Sequence, residues 1–214
     1  MIASEHVTWR AALARRSFRV AWAVAAVVAV PMVLLLPRFF GFIEAYPGTR
    51  PWEPLLPLFP PADVSVAVFA LLYGTLLFTI ARVAGRPLLL LRGVHAYLIM
   101  MLFRIACIRS FVLEPPLDIV PLVDPVIQVF YPGKEPFLKD LFFSGHTATM
   151  ALLVPLSQGR LVRAFTVIAT CAIGVLVLVQ HAHWTIDVVV APLFVALAWW
   201  LSRSSLSACG VATA

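Results

Sequence analysis

Charge is scarce in this chain: Asp, Glu, Lys and Arg make up 12% of 214 residues, against 62% hydrophobic ones. So small a polar stock cannot dress the surface of a soluble domain of this length, and lipid must be the solvent around most of the chain. Cysteine is nearly missing as well. Cys107, Cys171 and Cys209 fall in or beyond apolar stretches without a framework of spacings, which excludes a disulfide scaffold and offers no thiolate metal motif. No ten-residue alternation recurs, which sets aside a β-barrel. Internal repeats and low-complexity tracts are also lacking. No basic patch is interleaved with aromatics, so nucleic acid is not an expected partner.

What is present is a set of apolar runs long enough to cross a bilayer, each needing roughly 20 residues. Six can be drawn, at about 17–37, 64–84, 88–113, 141–157, 161–181 and 184–202, the third long and the fourth short. The expected fold is therefore all-α, a polytopic bundle of about six transmembrane helices forming one integral-membrane domain over residues 1–214. The first run follows Arg10, Arg15, Arg16 and Arg19 like a signal peptide, but it is too long and lacks a small-residue cleavage pattern, so it reads as a retained helix.

Basic residues orient the bundle. With the N-terminus cytoplasmic, nine arginines (Arg10, Arg15, Arg16, Arg19, Arg82, Arg86, Arg160, Arg163 and Arg203) lie inside. Arg38, Arg50, Lys134 and Lys139 lie outside, and Arg92, Arg104 and Arg109 fall within the third span. Glu44, Glu53, Asp63, Glu114, Asp118, Asp124, Glu135 and Asp140 are all outer. Both termini are then cytoplasmic, and the net charge of +6 reflects topology. Two long outer loops, about 38–63 and 114–140, hold many of the 17 prolines and should form non-helical covers, either plain interfacial connectors or the vestibule of a site.

Polar residues inside spans are costly and point toward function. They gather in three places: Arg92, His95, Arg104 and Arg109 in the third span; Ser144-Gly145-His146-Thr147 at the start of the fourth; and His181, His183, Thr185 and Asp187 between the fifth and sixth. Arg92 is expected to snorkel to the headgroups and His95 to bond a neighbouring helix. His183 and Asp187 are four apart, so on one helical face the carboxylate can fix the imidazole tautomer and leave the other nitrogen free to attack. His146 opens a helix whose first amides suit an anion, and arginines can grip phosphate oxygens. Two histidines, a carboxylate and arginine donors suit metal-independent phosphoryl transfer. A zinc site is the lesser reading, because His181 and His183 splay on a helix.

"SGHT" at 144–147, followed by "HAHWTIDVVVA" from His181, resembles the two histidine motifs of the sphingomyelin synthase branch of the phosphatidic acid phosphatase type 2 superfamily of lipid phosphatases and phosphotransferases. The close match covers about 140–191; "FRIACIRSFVLEPP" from Phe103 is a looser one. The resemblance implies a catalytic triad of His146, His183 and Asp187. His183 would form a phosphohistidine, Asp187 would orient it and His146 would protonate the leaving group. Asp140 and His181 become headgroup-binding or supporting candidates, while Arg104, Arg109, Ser144 and Gly145 become phosphate-binding ones. The chain departs from the lipid phosphatases in lacking their K-x6-R-P motif, and it has Val177 where they carry an arginine.

The expectation is thus an integral-membrane lipid phosphatase or phosphotransferase, active at the outer face without metal or cofactor. Its substrate would be a phospholipid or lipid phosphate, and its acceptor water or a lipid or polyol hydroxyl. A compact chain of this kind suits a bacterial inner membrane, with the site periplasmic. The competing classes are a lipid transporter or flippase, which should show inverted repeats or broken helices, and a non-catalytic lipid-binding protein, which should have lost a triad member.

Overall fold

The structure is a computed structural model and describes residues 7–125 and 136–211. Among these residues the regular secondary structure is all helical, with one isolated bridge between Thr49 and Leu113 in place of any strand. A short α1 (Trp9–Ala14) leads into α2 (Arg16–Glu44), followed by α3 (Ser65–Val83), α4 (Pro87–Ser110), α5 (Gly145–Leu156), α6 (Arg160–Val179) and α7 (Thr185–Ala208). Five of these, α2, α3, α4, α6 and α7, are long and apolar enough to cross a membrane.

Three features depart from the sequence expectation. The first long helix does not end near residue 37 but runs to Glu44 through Pro31 and Pro37, so Arg38 is helical and the first loop starts at Ala45. Proline removes a hydrogen bond, yet apolar surroundings offer the freed backbone no better partner than the helix around it. The fourth apolar stretch yields only a 12-residue helix, about 18 Å long and short of the roughly 30 Å hydrocarbon core. The six-residue α1 was not anticipated; Thr8 Oγ1 caps it, and Trp9 Nε1 donates to Ala84 O at 2.6 Å. Lys134 and Glu135 lie outside the described residues.

The bundle packs on small residues. Ala96 of α4, Ala148 and Ala151 of α5, and Ala191 and Ala198 of α7 form one buried cluster with Met100 and Leu152, so the backbones approach closely where lipid supplies no hydrophobic drive for association. Gly174 of α6 serves the same end: a Cβ there would stand 2.9 Å from Val188 Cγ1. The tight turn from α5 to α6 needs Gly159, whose φ is 93°. Val27 and Val33 of α2, 72% and 69% exposed, belong to the outward apolar face.

Contacts sort the two ends of the bundle. Ala12, Phe18, Ala21, Leu91, Leu206 and Val211 pack together, so the first and last described helices meet at one end. The two long loops interlock at the other. Thr49 N–H donates to Val112 O and Glu114 N–H to Thr49 O, both at 2.9 Å. Lys139 adds a triple tie: its N–H reaches Glu44 Oε1 at 2.7 Å, and its Nζ reaches Glu114 Oε1 and Tyr46 O at 2.8 Å. Gly48 is required where the loops touch, because a Cβ would lie 2.9 Å from Glu114 N.

Candidate active site

The site forms where the first turns of α5 and α7 meet beneath the loops. Ser144 is the N-cap of α5, its Oγ accepting weakly from Thr147 N–H at 3.4 Å. The Ser144 N–H is spent on the other motif, donating to Asp187 O at 3.0 Å. One backbone bond therefore joins the two histidine motifs. It brings the His146 and His183 rings to 6.0 Å between centroids, at 64°.

His183 and Asp187 meet by a different route from the one their spacing suggests. The helix begins only at Thr185, so His183 precedes the N-cap Trp184 and the pair does not share a helical face. Asp187 stands at the third helical position, and its Oδ2 turns back to accept the Trp184 N–H at 2.9 Å, as capping carboxylates do. That returning carboxylate lies 3.4 Å from His183 Nδ1. Both side chains are buried. Four buried polar atoms here have no hydrogen-bond partner among the described residues: His146 Nδ1, Thr147 Oγ1, His183 Nδ1 and Asp187 Oδ1.

Arg104 braces the turn before α5. Its Nη1 donates to Phe143 O and its Nη2 to Asp140 Oδ1, with the guanidinium buried and Asp140 partly exposed. Gly145 leaves room for it, since a Cβ there would lie 2.7 Å from Nη1 and 2.8 Å from Cζ. The Phe143 ring stacks on Phe194 of α7 at 4.4 Å, holding the same turn from the other side.

The remaining candidates are placed elsewhere. Arg109, five residues beyond Arg104, points away toward α2, with Phe42 and Tyr46 5.6 and 5.5 Å from its guanidinium carbon. His181 has φ 51° and completes the C-terminal turn of α6, where His181 N–H reaches Leu178 O and Ala182 N–H reaches Val177 O. Its Nε2 donates to Phe59 O at 2.7 Å, so its ring holds the loop cover. Val177, where the lipid phosphatases have an arginine, is fully buried in an apolar cluster. Arg92, partly exposed, lies 4.0 Å over the Trp199 ring and bonds Trp199 O and Ser202 Oγ. His95 bonds neighbouring helices as expected, through Ala21 O and Ser205 Oγ.

Several contributors were missed from sequence. Phe69 of α3 meets the His146 ring edge-on at 5.6 Å. Glu53 reaches the start of α7, taking Thr185 N–H on Oε2 at 2.7 Å and Thr185 Oγ1 on Oε1 at 3.1 Å. Burial alone would raise the Glu53 carboxyl, but bonds from Leu56, Thr185 and Leu55 outweigh it and hold the group below its ordinary 4.5. Glu114 is likewise held low, chiefly by Lys139. An acid in a proline-rich loop carries no periodic signal that would have picked out Glu53. Among the described residues, no three His, Cys, Asp or Glu side chains form a metal-ligating group.

Residues 139–204, just under a third of the chain, match the family model described as PAP2 superfamily C-terminal. The matched segment carries Asp140, the Ser144–Thr147 turn, His183 and Asp187, and it supports a link to that superfamily. No curated protein and no solved structure matches.

Proposed function

We propose that this protein is an integral-membrane lipid phosphatase or phosphotransferase that works through a phosphohistidine on His183. The observation that carries the reading is the pairing of two histidines, each with a buried Nδ1 that has no hydrogen-bond partner among the described residues, with a buried carboxylate on motifs joined by a backbone bond. Buried polar groups are ordinarily satisfied, and four exceptions gathered on Thr147, two histidines and a carboxylate point to chemistry. The superfamily match over the same residues supports it.

In this mechanism the phosphate of a lipid seats against the first turn of α5, with Arg104 holding that turn and lending positive charge. Asp187 keeps the proton on His183 Nδ1, and Nε2 attacks phosphorus in line. The P–O bond to the leaving group breaks as His146 delivers a proton to that oxygen. Water or an alcohol then attacks phosphorus and gives its proton to His146, and the P–N bond breaks with its electrons returning to Nε2. Preorganised donors meet the added charge in each step. An apolar groove of about 410 Å³, lined by Ala151, Pro155, Thr170, Pro192 and Trp199 among others, runs below the site and suits an acyl chain. The reading places the site at the outer face and both termini inside, and a lipid acceptor would give sphingomyelin synthase-like transfer.

The test is to incubate purified protein with a panel of phospholipids and lipid phosphates, with and without ceramide or diacylglycerol, in the presence of a chelator. Mass spectrometry then reads the products. Free phosphate or a soluble phospho-headgroup indicates hydrolysis, and an acceptor-dependent new phospholipid indicates transfer. No product from folded protein on any lipid would overturn the proposal.

A further inference from the structure

Three residues before His183 stands a side chain that the reaction does not touch. Gln180 is wholly buried, and its amide is spent on the two loops and the first residue of α3. Its Oε1 accepts the Val64 N–H at 2.6 Å. Its Nε2 donates to Ser65 Oγ at 3.0 Å, Asp63 Oδ1 at 3.2 Å and Pro121 O at 3.4 Å. The backbone continues the pattern: Gln180 O accepts the Val120 N–H at 3.1 Å, and Val179 O accepts the Ala62 N–H at 3.0 Å. Both outer loops are thus fastened to the end of α6.

The end of that helix is already closed by backbone bonds at His181 and Ala182, so the amide is not needed as a cap. An apolar side chain would be the ordinary occupant of a fully buried position there. A satisfied polar network in a poorly polarisable interior is rigid, and breaking one member leaves the others unpaired. Beyond His183, Glu53 fastens the same first loop to Thr185. The turn carrying His183 is held at both ends, with its imidazole 3.4 Å from Asp187.

We propose that Gln180 is a positioning residue for His183, setting the imidazole against Asp187 and His146 by tying both outer loops to the turn that bears it. This rests on the reading of His183 as the nucleophile. The test uses the full chain in detergent with dioctanoyl phosphatidic acid as the probe. Gln180→Glu keeps shape and acceptor, removes both N–H donors and sets a carboxylate against Asp63. Adding Asp63→Asn removes the charge repulsion and lets an amide donor face the introduced carboxylate, with loss of the Ser65 N–H bond that Asp63 Oδ1 also accepts. The single variant is expected to lose about 10²-fold in kcat with KM within about threefold, and the double variant to recover part of the loss.

A second readout needs no substrate. Carbethoxylation of His183 by diethyl pyrocarbonate, followed by peptide mass spectrometry, should quicken severalfold in Gln180→Glu and return toward wild type in the pair. Unchanged kcat and labelling in folded Gln180→Glu, or no recovery in the pair, would overturn the proposal. If Gln180→Glu does not fold, Ser65→Ala removes the hydroxyl that bonds Gln180 Nε2 and Asp63 while leaving Gln180 in place; it should show a smaller loss with faster labelling, and wild-type values in both would count against the clamp. Wild-type protein inert toward the probe speaks against the phosphatase reading for that lipid, and the labelling comparison still decides the clamp.

Discussion

The chain buries histidine in two ways. At the end where the first and last helices meet, His95 is enclosed by α2, α4 and α7 with both ring nitrogens occupied, Nδ1 by Ser205 Oγ at 2.9 Å and Nε2 by Ala21 O at 3.1 Å. At the loop-covered end, half-buried His146 and buried His183 have their ring centroids 6.0 Å apart; among the described residues His146 Nδ1 has no hydrogen bond, and His183 Nδ1 has only the Asp187 carboxylate, 3.4 Å away. A satisfied buried imidazole is part of the packing; an unsatisfied one has been kept open at a cost of about 1–3 kcal/mol per orphaned group. The contrast teaches that burial alone does not mark function among intramembrane histidines. The state of the ring nitrogens does.

The comparison would break most sharply at the open pair. His183→Ala should reduce turnover to background, a loss of about 10⁴-fold or more, and His146→Ala should cost about 10²–10⁴-fold, both with helicity and elution unchanged. An active His183→Ala protein would remove the nucleophile from the mechanism. Next in size, Gly145→Ala drives a methyl into the Arg104 guanidinium, for which the built Cβ stands 2.7 Å from Nη1. The turn must shift, and initial rates should fall about 10²-fold; wild-type rates would show that the brace is dispensable.

The loop cover offers a pH test. Glu53 and Glu114 are held below their ordinary value of 4.5 in the folded protein. Their contribution to stability is therefore complete above pH 4.5 and fades as pH falls through the lowered values. Melting temperature should decline on the acid side, and Glu53→Gln should flatten part of that decline; an identical pH profile would detach Glu53 from the cover. Smallest of all in activity is His95→Ala, which should lower the melting temperature through a loss of about 1–3 kcal/mol while leaving kcat unchanged. A large fall in kcat there would erase the distinction between the two kinds of histidine.

Particular elements show how far the chain could be read directly. The starts of α3, α4 and α6 fall within a residue or so of the apolar runs that announced them, because runs of that length admit only helix in lipid. The end of α2 did not, since Pro37 usually stops a helix and here lies inside one. His146, His183 and Asp187 were marked by residue type and spacing, yet the spacing argument rested on a shared helical face that does not exist. Gln180 directly precedes His181 in the sequence, but nothing in its neighbours indicates Val64, Ser65 and Pro121 as partners.

By itself the sequence determined the solvent, the helical class and which polar residues were too costly to be filler, because each follows from local composition and from the free energy of placing a group in lipid. Only the tertiary structure decided which arginine serves the turn, Arg104 rather than Arg109, how a capping carboxylate reaches His183, and that Glu53 and Gln180 hold the loops. Those outcomes depend on contacts between residues as much as 132 positions apart, and no local pattern records which distant partner will satisfy a buried donor.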